Sequence, residues 1–522
     1  MTDSQADRTQ ALLRQLARGE AVTDALFAPG RVLIVLARKD AQRPQAQLTF
    51  SFAVNLLARL YPVVQQLDVV LPERVPLAAP LPRWTAGTLN EHLSHLLNGL
   101  GPPVHWRVHH DPPGLGDCAL VVGAGTTVGV PTVFVGSDGW QVAVSPGSPQ
   151  TVGSSVNPVG AYAAACFGVS EVWKRLLHRH RGLFEGTPIL PLDEGLHFSA
   201  LTYRACPDEP NPALPDALAL DRLTVVGLGA GGGAAAFTLA TLPRVAGILN
   251  LVEPDVVEPS NLNRYVFADA HDADRRRPKT TVARDLFARF PDLTVPKFPI
   301  PFGDAVGQLG IADFRYVLAA VHSREARRDI QQETPMVLWD AAAEEGDFAI
   351  WRMILRQTEC MWCKHPPDAR DPERDKADQL AKLLGFDAAT WLRKVRNNEP
   401  FAADEVAALR RPSGSDFDLP AVGQRFGDWD AAQCGRLLFP AVDASVPVPF
   451  APVMAGVFLA GEIIKEHAFP DFVLDSYYWN TMMGRFMRRS VARRRAPREA
   501  CRLCSDPIYR AQYKRRWQTA RD

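Results

Sequence analysis

The order of apolar and polar positions along the chain predicts alternating strands and helices. RVLIVLAR at 31–38 is an apolar run of strand length, and SFAVNLLARLYP at 51–62 reads as a helix that Pro62 stops. DVVLP at 68–72 is a second short strand, and TLNEHLSHLLNGL at 88–100 sets Leu89, Leu93, Leu96 and Leu97 on one helical face. VHWRVHH, CALVVGAG and PTVFVG add strands, and NPVGAYAAACFGVSEVWKRLLHR at 157–179 is a long helix of small residues. This rhythm predicts an α/β fold with a mostly parallel sheet. The Pro/Asp-rich stretch CPDEPNPALPDALALD at 206–221 marks a linker, and a second α/β unit begins at Arg222 and ends in a helix over 448–467.

The long helices of the two units resemble each other. Each has Pro-Val, then a small-residue face, then an acid three residues before a lysine, Glu171/Lys174 and Glu462/Lys465. The pattern reads as a weak internal repeat, two copies of one fold. Similarity between two Ala-rich helices is the plainer reading.

Only the second copy carries a Gly-rich turn. After LTVV come Gly227, Gly229, Gly231 and Gly232, with G-x-G-x-x-G spacing over Gly227, Gly229 and Gly232. Glycines there permit a tight turn and let main-chain N–H groups approach phosphate oxygens at a helix N-terminus. Glu253 ends the next apolar run, 26 residues past Gly227, placed to hold ribose hydroxyls. SNLNR follows, with Asn261 and Arg264, and Lys279 lies 15 residues beyond Arg264. Two cations and an amide beside such a turn suit a triphosphate better than the pyrophosphate of a dinucleotide, and would stabilise charge at the α-phosphate.

Composition narrows the classes. A chain of 522 residues exceeds one core and implies two to three domains. Hydrophobic content of 47%, charged content of 22% and a formal net charge of zero are those of a globular protein without a field for nucleic acid or membrane. Met1 to Glu20 is polar, so no signal peptide is expected, no apolar run has the ~18–20 residues of a membrane span, and a cytoplasmic location is expected. Seven arginines within 485–498 are read as a solvated face, although they suit an acidic partner.

Eight cysteines in such a chain point to metal or catalysis before disulfides. Cys360-Met-Trp-Cys363 and Cys501-Arg-Leu-Cys504 are two C-x-x-C pairs, together the four thiolates of a structural Zn²⁺ site. Cys118 and Cys166 sit in apolar runs and are expected to be packed, and Cys206 lies in the linker. Cys434, in the polar stretch DWDAAQCGRLLFP, is a candidate nucleophile.

Taken in order, the Gly-rich turn, EPD, SNLNR, the downstream Lys and the two C-x-x-C pairs resemble the ThiF/MoeB and ubiquitin-activating superfamily over roughly residues 222–504. CMWCKHPP is similar to that family's first zinc knuckle, QCGRLLFPAV to its crossover loop with the catalytic cysteine, and APVMAGVFLAGEIIKE to the helix after it. The resemblance implies two Rossmann-like adenylation folds in tandem. Residues 1–205 would be a degenerate, inactive copy, and 222–504 the active one, with an insertion at 366–433 and a tail at 505–522.

The implied activity is adenylation of the C-terminus of a ubiquitin-like β-grasp protein with ATP and Mg²⁺, then thioester formation for transfer to a conjugating enzyme. By position, Glu253 would hold ribose, Asn261, Arg264 and Lys279 phosphates, and Cys434 the acyl group. The architecture resembles fusions in bacterial conjugation operons linked to antiphage defence. The chain is expected to act as a monomer or homodimer without nucleic acid or membrane partners.

The sequence departs from the family in three places. The family's Mg–ATP aspartate aligns with His322, a poor magnesium ligand, so Asp255 is a candidate substitute. The Gln after the family's Arg is Tyr265, and its arginine finger has no clear match, with Arg8 and Arg14 on the first predicted helix as candidates. A sulfur-carrier adenylyltransferase and a nucleotide-binding scaffold without turnover stay open. An NAD(P) oxidoreductase would explain neither Lys279 nor the knuckles. KADQLAKLLG and AATWLRKVRNN within the insertion read as helices, either of a small catalytic-cysteine domain or of a loose crossover.

Overall fold

The computed structural model describes the chain apart from residues 1–8, 11, 15, 18–21, 85, 102, 126–127, 185–188, 345–346, 367–371, 398, 411–418, 427–428, 430–447, 475, 481–495, 500 and 518–522. Cys434, Arg8 and most of the arginine-rich stretch lie outside the described residues. The chain forms two compact units, one of residues 1–364 and 446–522, the other of 365–445.

The first unit contains two sheets. β1 (Arg31–Leu36), β2 (Gln66–Val70), β3 (His105–His109), β4 (Cys118–Val122), β5 (Thr132–Asp138), β6 (Gln141–Ser145) and β7 (Leu196–Ser199) lie in the order β3-β2-β1-β4-β5-β6-β7. β8 (Leu218–Val226), β9 (Val245–Val252), β10 (Leu293–Thr294), β12 (Tyr316–Ala319), β13 (Val337–Glu344), β14 (Asp347–Met353) and β15 (Ser476–Asn480) lie in the order β10-β9-β8-β12-β13-β14-β15, with β11 (Lys297–Phe298) also on β9. In both sheets the pairings are parallel as far as β5 and β13 and the last two pairings are antiparallel, so that only β6 and β14 run against the rest. The two orders are the same permutation.

The mostly parallel expectation holds, with two antiparallel turns closing each sheet. The first of these turns was legible in Asp138-Gly139, because Gly139 takes φ +61° in a two-residue hairpin between β5 and β6. The helix predicted over 51–62 runs instead over Pro44–Leu57 (α1), with Pro44 in its first turn. Its early turns hide their amphipathicity because Gln45 and Gln47 are buried and donate to the carbonyls of Asn157 and Pro76. α2 (Leu89–Leu100) starts at a capping box formed by Thr88 and Glu91, and α3 (Pro158–His178) at an Asn157 cap.

The second sheet carries α4 (Ala230–Ala240), α5 (Lys279–Asp285), α6 (Arg324–Gln332), α7 (Phe450–Ala468) and, closing the chain, α8 (Pro507–Trp517). One hydrophobic core runs through both sheets and the helices between them. Phe52 of α1 stacks on Tyr162 of α3 with ring centres 4.0 Å apart, and the Tyr162 hydroxyl bonds to Thr241 Oγ1 at 2.7 Å. The 206–221 stretch is pinned rather than loose. Asn211 accepts from the Trp140 amide at 2.8 Å, and Leu218–Asp221 already belongs to β8.

The 365–445 unit has its own core. Within it, helices Pro372–Leu384, Ala388–Asn397 and Ala403–Ala408 accompany an aromatic cluster of Trp391, Phe401, Phe426 and Trp429. The two helices expected in the insertion are present. No helix among the described residues is long and apolar enough to cross a membrane.

Glu171–Lys174 and Glu462–Lys465 are both buried ion pairs one helical turn apart. Burial pushes the Glu462 carboxyl up and the Lys465 ammonium down, and the pair opposes both shifts. Lys465 also donates to the Leu201 carbonyl at 3.0 Å, tying α7 to the first half. Lys465→Met is expected to cost about 3–5 kcal/mol by leaving Glu462 buried without its partner. A denaturation midpoint well below wild type checks this. Adding Glu462→Leu should restore most of the loss, and an unchanged single-variant midpoint would contradict the account.

Candidate functional site

Strand order reverses between β8 and β12, and such a point opens a crevice at the strands' C-terminal ends. The Gly-rich turn occupies it. Gly227 takes φ +90°, and a side chain there would begin 2.7 Å from the Ala320 carbonyl oxygen, in the loop after β12. A side chain at Gly232 would begin 1.9 Å from the Gly227 carbonyl oxygen. Only glycine fits either place. Gly229 caps α4, while Gly231 lies under α7, with the Pro452 carbonyl 3.5 Å from its missing Cβ.

Glu253 shapes this turn. Its Oε2 accepts from the Leu228 amide at 2.7 Å, inside the glycine run, and its Oε1 from the Asp255 amide at 3.1 Å. Each carboxylate oxygen retains capacity for a further hydroxyl donor. Lys279, the first residue of α5, is buried with Nζ 2.8 Å from Asp255 Oδ2 and 3.7 Å from Glu253 Oε1. Burial by itself lowers the ammonium pKa, but Tyr265, Glu253 and Asp255 outweigh it and hold it above the usual lysine range. These partners hold Lys279 in its charged form.

Tyr265 was noted in the sequence only as a departure from the family, and the structure gives it a place. Its ring lies 5.4 Å from Lys279 Nζ and 5.2 Å from the Arg264 guanidinium carbon. Its hydroxyl is 3.9 Å from where a side chain at Gly229 would begin. Arg264 is half-buried and donates to the Ser260 carbonyl at 3.0 Å and to Asn263 Oδ1 at 2.7 Å. Asn261 is buried and spends its Oδ1 on the Glu258 amide at 3.1 Å, within its own turn. His322 is exposed in the loop after β12, and its carbonyl accepts from Arg327 at 3.3 Å. Arg327 also bonds to the buried Asp340 at 2.9 Å, a support not expected from sequence.

The equivalent crevice of the first sheet, between β1 and β4, is filled by the protein itself. The buried Asp40 accepts from the Ala124 amide at 2.9 Å and has Arg43 at 3.3 Å.

The two knuckles meet. Cys360 Sγ lies 3.8, 3.6 and 3.7 Å from the sulfurs of Cys363, Cys501 and Cys504, and Cys363 lies 3.3 Å from Cys504. Disulfides need about 2.05 Å, whereas four ligands at ~2.3 Å around tetrahedral zinc stand about 3.8 Å apart. All four are buried, and the Arg498 amide points at Cys363 Sγ from 3.4 Å. The set fits zinc. The expected tail folds as α8, whose Tyr513 hydroxyl donates to the Met336 carbonyl at 3.0 Å and whose Trp517 indole donates to the Thr334 carbonyl at 2.8 Å.

Residues 213–503 match the ThiF family profile, which is more than half of the chain. The chain belongs to the ThiF family. This ThiF-family chain also matches Prokaryotic E2 family C over residues 36–178. It is 28% identical over 504 residues, 93% of this chain and 91% of the relative, to the uncharacterized protein y4jF of Sinorhizobium fredii. The cysteines within the 36–178 match are Cys118 and Cys166. Both are buried, and burial raises the Cys118 thiol to about 12 and the Cys166 thiol higher still. Neither is placed to act as a nucleophile.

Cys501→Ser is expected to lose the metal and lower the thermal midpoint, as judged by the zinc content of purified protein. A full zinc complement in that variant would contradict the four-thiolate site.

Proposed function

We propose that this ThiF-family protein adenylates the C-terminal carboxylate of a ubiquitin-like β-grasp protein and then takes the acyl group onto Cys434 for transfer to a conjugating enzyme. The observation that carries the reading is the grouping of the glycine turn, Glu253 and the buried Lys279 cation at the strand-order reversal. The family match supports the adenylation step, and the similarity to Prokaryotic E2 family C is consistent with a conjugation pathway.

In this reading the turn amides and Glu253 seat the nucleoside, while Lys279 and Arg264 face the phosphates. A carboxylate oxygen of the carrier attacks the α-phosphorus. The bond to the bridging oxygen of the β-phosphate breaks, and pyrophosphate leaves with that electron pair. Lys279 offsets negative charge growing at the α-phosphate. Mg²⁺, when bound, would neutralise the phosphates, and Asp255 beside Lys279 is the candidate to replace the family's aspartate at His322. The Cys434 thiolate then attacks the acyl carbon and AMP leaves.

The first half, with Asp40 in its crevice, is the inactive copy. It supplies within one chain the pairing of adenylation folds that the family otherwise achieves by dimerisation. The four-cysteine site has a structural role, and a place in antiphage defence follows the bacterial fusion architecture.

Two variants test the reading with a β-grasp carrier and MgATP. Lys279→Ala should reduce carrier-dependent ATP–pyrophosphate exchange by roughly a hundredfold or more. Cys434→Ala should keep that exchange but lose a DTT-sensitive adduct on a non-reducing gel. Exchange without any adduct in wild type would favour a sulfur-carrier adenylyltransferase, and nucleotide binding without exchange a scaffold.

A further inference from the structure

Arg59 is a buried cation whose direct partners are uncharged. It lies two residues past the end of α1, in the first half, at 4% exposure. Burial lowers its pKa to about 9, with Asp269 and Asp272 opposing the shift and Arg83 adding to it. Such a group is costly unless its donors are met. Nε donates to Asn55 Oδ1 at 2.8 Å, Nη2 to the Ala268 carbonyl at 2.9 Å, and Nη1 to the Leu262 carbonyl. Asn55, one turn earlier and equally buried, donates to the Val266 carbonyl at 2.9 Å. Arg83, also of the first half, donates to the Phe267 carbonyl at 3.0 Å and pairs with Asp269 and Asp272.

The gripped carbonyls all belong to the segment that follows Asn261. Between Leu262 and Val266 lie Tyr265, whose ring packs beside Lys279 and whose hydroxyl approaches Gly229, and Arg264, which packs on that ring. A planar guanidinium with donors in a fixed fork suits acceptors spaced along a turn, and a lysine ammonium does not reproduce that geometry.

We propose that Arg59 is a positioning residue: through the main chain of 262–268 it holds Tyr265 and Arg264 at the mouth of the Gly-rich turn in the arrangement that receives a triphosphate. The first half thus acts on the nucleotide site of the second without touching the nucleotide. The proposal rests on the nucleotide reading above.

The test uses the full chain as wild type, Arg59→Met and Arg59→Lys. Calorimetry gives dissociation constants for MgATP and AMP, alongside zinc content and unfolding midpoint. Because the held segment carries Arg264 and the Tyr265 ring that packs on Lys279, both on the phosphate side of the site in this reading, Arg59→Met should weaken MgATP by roughly tenfold or more and AMP by less than about threefold. Zinc content should not change, and Arg59→Lys should fall between. A folded Arg59→Met with wild-type MgATP affinity would overturn the proposal, as would equal losses for MgATP and AMP. If Arg59→Met does not fold, Asn55→Ala carries the same comparison: a selective loss for MgATP supports the proposal and unchanged affinities overturn it. A folded wild type that binds no MgATP would remove the nucleotide reading itself, and this proposal with it.

Discussion

The structure depends on a shared helical layer between two sheets of one topology. Phe52, Tyr162 and Phe237 pack there, and the buried pairs Glu171–Lys174 and Glu462–Lys465 mark equivalent turns of the two late helices. The layer has room for these helices only because contacts are made main chain to main chain. A side chain at Gly456 of α7 would begin 2.1 Å from the Gly231 carbonyl oxygen. That approach seats α7 on α4 and fixes the start of α4, which is the end of the Gly-rich turn. Packing of the core and geometry of the site are therefore one constraint.

The two sheets differ at the corresponding crevice. In the second, glycines shape the turn at the strand ends, and a lysine stands buried between two carboxylates. In the first, Asp40 closes the same place with its own hydrogen bonds. The first half supports the second through Arg59, Asn55 and Arg83, whose bonds converge on a single segment, 262–272.

Much of this was legible in the sequence because the signals were local. Apolar runs gave the strands, glycine spacing gave the turn, and two C-x-x-C pairs gave the four-sulfur cluster. What stayed hidden depended on long-range partners. Gln45 and Gln47 look solvent-facing until Asn157 and Pro76 satisfy them, so the start of α1 was missed. Asp40, Arg59 and Arg327 are ordinary charges in sequence. Their meaning comes from Ala124, Leu262 and Asp340, which lie far along the chain or on another strand. Tyr265 differed from the family pattern, but only folding shows its ring beside both cations.

The account stands on chemistry at the α-phosphate. The most direct measurement follows ATP labelled on that phosphate during turnover with a β-grasp carrier and resolves the nucleotide products. AMP released with pyrophosphate is the predicted result, since the carrier's carboxylate displaces pyrophosphate at the α-phosphorus. ADP released with inorganic phosphate would place the chemistry at the γ-phosphate and contradict it.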